Sequence, residues 1–427
     1  MNSRLPLGEL CASVGVAEPP EFVREHYDTH YRAGELPPAL RAPLFAPGEI
    51  RRRLSACAVE ESDIAELEAF AKHIEGDEQL LCFTCLLRDA IGAQQDRWGV
   101  GLWRAVKPSC LGKRSAWYMF LVLLSAVPLH EERMRRRGIP GAMTESVLGE
   151  AVRRSAEDFR HTGSWALRDM VWQMNFFTGH IFLLDRLLFI LERCCAGLVM
   201  FRDCAGNVCA LSNGRRRFDR FGQPATEPGF VSTYKETKTA YEGNRVSPMG
   251  FVYPELTVLP KPQWRPVIRN DDWLINIHMP SGEGYTPDRF RNSCELALEF
   301  FGRHFPEYGV KGFMCDSWLF DPALQLALPE EKSNIVRIQR QVFIYPQKTD
   351  DGQLIGDLFG GAARDALPQK TSLQREVKAL MDKGVRFHAQ GMLLPKEDLH
   401  LFGKAAYFSQ GEFEQFKMRV GARVARP

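Results

Sequence analysis

The segment that decides the fold is 272–287, DWLINIHMPSGEGYTP, which runs into 288–305, DRFRNSCELALEFFGRHF. Residues 272–279 alternate in polarity like a strand, and 288–305 carry the three- and four-residue apolar spacing of a helix. Thr286 is a favourable N-cap, and Pro287 suits the first helical position because its missing N–H is not needed there. A second strand is predicted at 312–320, GFMCDSWLF. This order predicts a βαβ unit with a right-handed crossover.

The residues around this unit predict a mixed α/β region. Branched and aromatic residues in 180–192, 198–202 and 208–211 favour strands, whereas the polar, Gly-rich stretch 213–249 favours a long loop or hairpin. The alternating pattern of 334–345 predicts another strand. A helix at 372–383, capped by Thr371, and a last strand at 391–394 complete the pattern.

The N-terminal half has a helical pattern. Within 60–74, Ile64, Leu67 and Phe70 recur at three-residue steps. The apolar run 117–129 predicts one buried core helix, because a membrane span needs roughly 20 residues. The predicted fold class is therefore α+β. An all-helical domain, 1–176, precedes a mixed α/β domain, 177–427, with a central, mostly antiparallel sheet.

Composition narrows the class of protein. The 427 residues carry a formal net charge of only +2, and the basic runs lack the interleaved aromatics of a nucleic-acid platform. Eleven cysteines without regular spacing predict thiols rather than a disulfide framework. The start of the chain lacks a signal-type apolar segment, so we expect a cytoplasmic protein. Neither a nucleic-acid nor a membrane partner is expected. No metal site is expected either, because Cys82 and Cys85, although spaced as in a zinc or redox motif, have no second pair, and no Glu follows His26 in the pair His26 and His30.

Several segments resemble a bacterial acyltransferase-domain family that has a helical N-terminal region and a GNAT-like C-terminal domain. They are WLINIHMP (273–280), FFGRHFPEY (300–308), FMCDSWLFDP (313–322), SNIVRIQR (333–340), LPQKTSLQREV (367–377) and the stretch 164–189. The resemblance covers 138–394. It implies that a fourth strand, 272–279, and a fifth strand, 312–320, splay apart. Acetyl-CoA or another acyl-CoA, as substrate, would occupy the gap.

The loop 280–286 is then the expected pyrophosphate site, because a helix start offers free N–H groups and the positive end of a dipole. The cofactor-binding candidates are Ser281, Gly282, Gly284, Tyr285 and, at the start of another helix, Arg375. The loop departs from the usual (Gln/Arg)-x-x-Gly-x-(Gly/Ala) motif. Residues 353–356, QLIG, match only its first half, and they are discounted because a Gly-rich loop, not a helix, is expected to follow them.

Four catalytic candidates lie at the ends of the two strands. His278 is a candidate base or thioester-orienting group, and Ser317 a candidate proton donor to the leaving thiolate. Asp316 could act as a base if burial raised its pKa, and Cys315 as an acyl-accepting nucleophile if a base activated it. Each also has a structural interpretation: a histidine bonded to backbone, or core packing at 315–318. Tyr345 is a further candidate donor to the thiolate.

The predicted function is acyl-CoA-dependent acyl transfer, most simply N-acyl transfer, by direct attack of an acceptor in the cleft. The acceptor would be a small molecule or a peptide. One alternative is a non-catalytic ligand-binding protein that retains the fold, which the absent motif favours. Another is a hydrolase acting through Cys315, which lacks a histidine placed near it by sequence.

Overall fold

The structure is a computed structural model that describes residues 5–30, 43–93, 105–167, 169–226, 229–280, 282–347 and 350–424. The chain divides into two units, Met1–Leu183 and Leu184–Pro427.

The first unit is helical in its described part, as the periodicity predicts. Ile64, Leu67 and Phe70 form the buried face of the fourth helix. The helices are α1 (Leu7–Val14), α2 (Glu21–His30), α3 (Glu49–Ser55), α4 (Glu61–Gly76), α5 (Glu78–Ala93), α6 (Tyr118–Ser125), α7 (Val127–Arg136), α8 (Gly141–Thr162) and α9 (Met170–Thr178), with a 3₁₀ segment at Ser109–Ala116. A short strand, β1 (Ile181–Leu184), follows α9.

The apolar run 117–129 is helical and largely buried, as predicted, but it belongs to two helices rather than one. It breaks at Ala126, between α6 and α7, and Pro128 occupies the first turn of α7. Proline is tolerated there because the first N–H groups of a helix have no intrahelical acceptor. In the described part of the chain, no single helix has the length and apolarity to cross a membrane. The 3₁₀ segment Ser109–Ala116 and the stretch Tyr118–Arg136, which contains both α6 and α7, are bent by 82° and pass that test only together.

His130 in α7 gives the first unit a predicted sensitivity to acid. The side chain is 1% exposed, and neither ring nitrogen has a hydrogen-bond partner among the described residues. Burial, and then the charges of Arg133, His180 and Arg53, lower the pKa of His130 to about 3. An unfolded histidine titrates near pH ~6.5. The unfolded chain therefore binds the extra proton, and the free energy of unfolding falls as the pH drops from there toward 3.

His130→Leu is expected to flatten this dependence. The lost contribution approaches about 1.4 kcal/mol per pH unit below the unfolded pKa. Urea unfolding of both proteins at pH 7, 5.5 and 4.5 measures the effect. The difference between the two proteins should grow steadily toward low pH, and parallel curves would contradict the assignment.

The second unit contains two sheets and a short strand pair. Its strands are β2 (Leu187–Arg193), β3 (Leu198–Asp203), β4 (Val208–Ser212), β5 (Arg217–Phe218), β6 (Phe230–Val231), β7 (Tyr234–Glu236), β8 (Ala240–Ser247), β9 (Phe251–Pro260), β10 (Trp264–Ile268), β11 (Trp273–His278), β12 (Gly312–Ser317), β13 (Phe343–Pro346) and β14 (Gln390–Pro395). Its helices are α10 (Pro287–His304), α11 (Asn334–Gln339), α12 (Gly352–Phe359), α13 (Ser372–Asp382) and α14 (Gln410–Val424).

In the main sheet of this unit the strand order is β2-β11-β12-β14-β13. The β11–β12 pair is parallel, and its flanking pairs are antiparallel. The second sheet has the order β10-β3-β4-β8-β7, with β9 paired to β8, and β5 pairs with β6. The predicted α+β class, a helical region followed by a mixed α/β region with a mostly antiparallel sheet, is confirmed.

The stretch 213–249, predicted as a long loop or hairpin, contains two antiparallel strand pairs, β5–β6 and β7–β8. Two other local predictions in the second unit need correction. The strand predicted at 312–320 ends at Ser317, and Trp318–Phe320 form a 3₁₀ turn. The strand predicted over 334–345 is wrong: α11 occupies its first half and β13 its last residues.

The reason for the error at 334–339 is a capped helical turn. The side chain of Ser333 accepts a hydrogen bond from the N–H of Val336, which satisfies a helix-start donor. Val336 and Gln339, three residues apart, are both buried on one face. Gln339 Nε2 donates to the carbonyl oxygens of Leu319 and Asp321 at 2.7 and 2.9 Å.

Candidate functional site

The pairing between β11 and β12 stops after two residue pairs. Ile275 faces Phe313 and Asn276 faces Met314 in parallel register. On their outer sides, β11 pairs with β2 over Trp273–His278, and β12 pairs with β14 over Gly312–Ser317. Each strand thus keeps its outer partner while the inner edges separate. β11 and β12 are neighbours, as predicted, and no further residue pair forms across the gap that follows, between 277–278 and 315–317.

At the end of β11 the chain enters a loop that leads into α10. Thr286 caps the helix, accepting a hydrogen bond from the N–H of Arg289 at 3.3 Å, as predicted. Gly282 and Gly284 have φ values of 107° and 86°, a region that favours glycine. The N–H groups of Glu283, Gly284 and Tyr285 make no hydrogen bond within the described ranges. These donors are therefore available to an anion. Ser281 lies outside the described residues.

A turn at Asp185 and Arg186, between β1 and β2, holds this loop. Arg186 donates to three loop carbonyl oxygens: those of Pro280 at 2.7 Å, Gly282 at 3.0 Å and Glu283 at 2.8 Å. Asp185 accepts from Arg289 at 2.6 Å. Sequence reasoning missed both residues because it treated 180–192 as strand throughout. Their signal was a polar pair interrupting an apolar run, IFLLDRLLF.

The catalytic candidates fall on two faces of the main sheet. Because Asn276 pairs with Met314, alternation assigns His278 and Asp316 to one face. The same alternation assigns Cys315 and Ser317 to the other face. His278 and Ser317 therefore do not share a face of the sheet, and His278 and Asp316 do.

Three of the candidates, His278, Ser317 and Cys315, differ in chemical state. Burial lowers the pKa of His278 to about 4, so its imidazole is neutral near pH 7. Ser317 Oγ accepts from the N–H of Leu319 at 3.2 Å, which leaves its own proton available to an acceptor. Burial, and then Asp316 and Glu192, raise the pKa of Cys315 well above its ordinary value. A thiolate at Cys315 is therefore disfavoured, which argues against the hydrolase interpretation.

Polar side chains surround Asp316 and form what we call the carboxylate cluster: Glu192, Asn276, Asp316, Tyr345 and Gln347. Asn276 Nδ2 donates to Glu192 Oε2 at 2.9 Å. The Tyr345 hydroxyl and Gln347 Nε2 donate to the two Asp316 oxygens at 3.2 and 3.1 Å. Burial, opposed by the Asn276 hydrogen bond and reinforced by Asp316, raises the pKa of Glu192. Two carboxyl groups thus lie near each other beside the gap.

Glu192 was not predicted from sequence, and its only signal there was a lone carboxylate in the apolar run LLFILE. Tyr345, predicted as a donor to a thiolate, instead donates to Asp316.

The cofactor-binding candidate Arg375 and the discounted segment 353–356 make their hydrogen bonds elsewhere. Arg375 donates to the carbonyl oxygens of Gln369 and Lys370, just before its own helix, and none of its contacts involves the loop 282–286. The segment 353–356 belongs to α12, and Gln353 Oε1 accepts from the N–H of Trp318.

Over the part of the chain that the structure describes, no group of three or more His, Cys, Asp or Glu side chains is arranged to hold a metal ion.

Tyr285 borders the gap from the loop side. Burial raises the pKa of its phenol well above the ordinary value, and the nearby thiols of Cys315 and Cys294 add to this. The ring packs edge-on against Phe290 of α10, with centroids 6.2 Å apart. Tyr285 thus lies beside the residues of β12 that face α10.

Solved acyltransferase structures are similar to this chain along nearly their whole length. One, an acyltransferase mutant in complex with octanoyl-CoA, is 20% identical, has a TM-score of 0.56, and the match covers 88% of this chain and 99% of that one. An acyltransferase with decanoyl-CoA and teicoplanin is 20% identical at a TM-score of 0.57, with the same coverage. A third, with CoA and 10C-teicoplanin, is 18% identical at 0.55 and covers 92% and 99%. At these identities the likeness is one of fold.

Family models account for both parts of the sequence. Residues 48–179 match an N-acyltransferase N-terminal domain, and residues 201–393 match a GNAT-like C-terminal domain. No curated protein sequence matches significantly. The two domains occur in the order and with the fold that the resemblance implied. The chain belongs to the acyltransferase-domain family that joins an N-acyltransferase N-terminal domain to a GNAT-like C-terminal domain.

Proposed function

We propose that this protein transfers an acyl group from acyl-CoA to an amine, by direct attack in the gap between β11 and β12. One observation carries the proposal: pairing of the two strands ends after two residue pairs, next to a loop with free N–H groups and a helix start. Acyl-CoA or CoA in the solved structures of similar fold supports the choice of donor.

The diphosphate of CoA would lie on the loop 282–286. Its charge matches the free N–H groups of Glu283, Gly284 and Tyr285 and the start of the 18-residue helix α10. Glu283 is exposed, so its carboxylate can point into solvent, away from the phosphates.

The pantetheine arm would run between the strands. Its two amides can pair with those peptide groups of 277–278 and 315–317 that point into the gap and are not used in the outer ladders, as an added strand would. A backbone N–H on either edge can then polarise the thioester carbonyl, where charge develops during attack.

The chemistry needs one proton acceptor and one hydrogen-bond donor. The amine nitrogen attacks the thioester carbon, the C–S bond breaks, and CoA leaves as a thiolate. Neutral His278 takes the proton that the amine loses. Ser317 is the proposed hydrogen-bond donor that stabilises the leaving thiolate, since its hydroxyl proton is not used in its bond to Leu319. The thiolate is then protonated from solvent, into which His278 releases the proton that it took.

The carboxylate cluster favours an amine as acceptor. Glu192 and Asp316 lie on the sheet face that alternation assigns to His278. The nearby Arg216 guanidinium is directed to the carbonyl oxygens of Ala196 and Pro346, at 3.2 Å each. A cationic amine would complement the remaining negative charge. A small molecule or a peptide fits this description, and teicoplanin in two structures of similar fold is a peptide-based example.

Calorimetric titration tests the donor. CoA, acetyl-CoA, octanoyl-CoA and decanoyl-CoA are titrated into the protein, and we expect saturable binding with at least one acyl chain length. Incubation with acyl-CoA and a panel of amino acids, polyamines and peptides then follows CoA release and acylated product by mass spectrometry. Absence of binding at every chain length would refute the proposal. Tight binding without turnover on any acceptor would favour the non-catalytic alternative, which the absent loop motif supports.

A further inference from the structure

We propose that Arg186 is a positioning residue that orients the peptide groups of the loop 282–284 toward the phosphates of CoA. The inference rests on the proposed function, and it adds a residue outside the βαβ unit to the binding site. It also addresses a specific puzzle, because the usual glycine-containing phosphate motif is absent from this loop.

The three hydrogen bonds of Arg186 fix the direction of the loop's peptide planes. In a trans peptide the C=O of one residue and the N–H of the next point in opposite directions. The carbonyl oxygens of Gly282 and Glu283 are held on Arg186 at 3.0 and 2.8 Å. The N–H groups of Glu283 and Gly284 must therefore point away from the guanidinium. These are two of the N–H groups that make no hydrogen bond within the described ranges.

The turn that carries Arg186 is itself attached to α10. The backbone N–H of Arg186 donates to Ser293 Oγ at 3.2 Å. The Asp185 carboxylate accepts from Asn292 at 3.2 Å and from Arg289 at 2.6 Å. Asp185 has a φ of 55°, an uncommon conformation for a residue other than glycine. Bonds to three residues of one helix hold the turn in this conformation. Arg186 thus sets the loop relative to the helix start.

Two guanidinium groups lie beside the loop. Arg186 is only 9% exposed, and its guanidinium is used on neutral carbonyl oxygens rather than on a carboxylate. Arg289 lies beside Gly284, where an added Cβ would meet its guanidinium. Arg186, Arg289 and Asp185 together carry one positive unit, and the exposed carboxylate of Glu283 in the loop carries one negative unit. The orientation of the N–H groups, rather than a net charge, is therefore what acts on the phosphates.

The test compares two ligands in Arg186→Gln and Arg186→Lys. CoA carries the diphosphate, whereas acetyl-pantetheine keeps the thioester arm and lacks it. Both variants lose charge-assisted hydrogen bonds that hold the loop 282–284. This loss should raise the Kd for CoA by about 10-fold or more. The Kd for acetyl-pantetheine should stay the same, because its contacts lie between the strands. Arg291→Gln is the matched control, since Arg291 is exposed on α10 and pairs with Glu295 of the same helix.

Each outcome bears on the proposal. Arg186→Lys keeps the charge but not the fork of donors, so CoA affinity equal to that of the wild type would overturn it. Equal weakening of both ligands would indicate a purely structural role and would overturn it too. If neither variant folds, amide exchange in the wild type decides: without slowed exchange at 283–285 on adding CoA, the inference fails. If the wild type binds acetyl-CoA and both Arg186 variants bind it with the same Kd, the proposed function stands. Only the role assigned to Arg186 is then refuted.

Discussion

His278→Ala is expected to lower kcat for acyl transfer by roughly 10²- to 10⁴-fold, the usual contribution of a general base. Acyl-CoA affinity should change little, because the diphosphate and pantetheine contacts proposed above do not use the imidazole. The position of His278 at the last residue of β11, beside the gap, gives it access to an amine that approaches the thioester. Initial rates and calorimetric Kd values for the variant separate the two effects.

The pH dependence adds a second readout. Burial holds the pKa of His278 at about 4, so the wild type carries the neutral base from near pH 5 upward. The acid limb of kcat should therefore lie near pH 4, where protonation of the imidazole removes the base. A separate rise at higher pH reports deprotonation of the acceptor amine. In His278→Ala the limb near pH 4 should be absent from any residual rate.

His73→Ala is the control for the histidine change, since His73 is exposed on α4 of the first unit. It should leave both kcat and Kd at the wild-type values. Full kcat in His278→Ala, with normal acyl-CoA binding, would contradict the assignment. The carboxylate cluster would then be the remaining candidate for the proton acceptor.

Gly391→Ala is expected to destabilise the second unit and to disturb the carboxylate cluster. A Cβ at position 391 would come closer than 3.0 Å to the ring carbons and hydroxyl of Tyr345, a separation that real Cβ atoms do not show. Tyr345 is 2% exposed and donates to Asp316, so its ring has little room to move. Overpacking of this kind costs about 1–3 kcal/mol.

Urea unfolding measures the loss, and Gly302→Ala is the matched control. Gly302 lies in α10, and an added Cβ there has no heavy atom within 4 Å. Removing a helical glycine should therefore raise the free energy of unfolding by about 0.5–1 kcal/mol. Equal stability of the two variants would show that Tyr345 can be displaced at little cost. Acyl transfer by the folded Gly391→Ala protein should also fall, because Tyr345 no longer holds Asp316.

The parts of this fold that were predictable from sequence are those with local causes. The unit from β11 through α10 to β12 was predicted because its alternation, its Thr286 cap and its helical spacing all lie within about fifty neighbouring residues. The wrong strand at 334–339 has a local cause as well. A helix of six residues is too short for its apolar spacing to differ clearly from alternation, and the Ser333 cap was not recognised.

The parts of the candidate site that were missed depend on contacts between distant segments. Arg186 donates to carbonyl groups that lie 94 to 97 positions away in the chain. The sequence pattern around Asp185 and Arg186 does not predict these hydrogen bonds. Glu192 acquires its raised pKa from burial and from Asp316 on a strand two positions across the sheet. Such residues become candidates only when the strand order is known.

Because only short pairing joins β11 to β12, the main sheet has a weak line, or seam, between these two strands. On one side lie β2 and β11, and on the other β12, β14 and β13. Among the described residues, the two sides are joined by the pairs Ile275–Phe313 and Asn276–Met314 and by a hydrogen bond from the N–H of Lys311 to the carbonyl oxygen of Trp273 at 2.9 Å. A pantetheine arm bonded to both edges would behave as a missing strand and make the sheet continuous. Substrate would then be part of the architecture, so the empty protein should open at this seam first, and donor binding should raise the cooperativity of its unfolding.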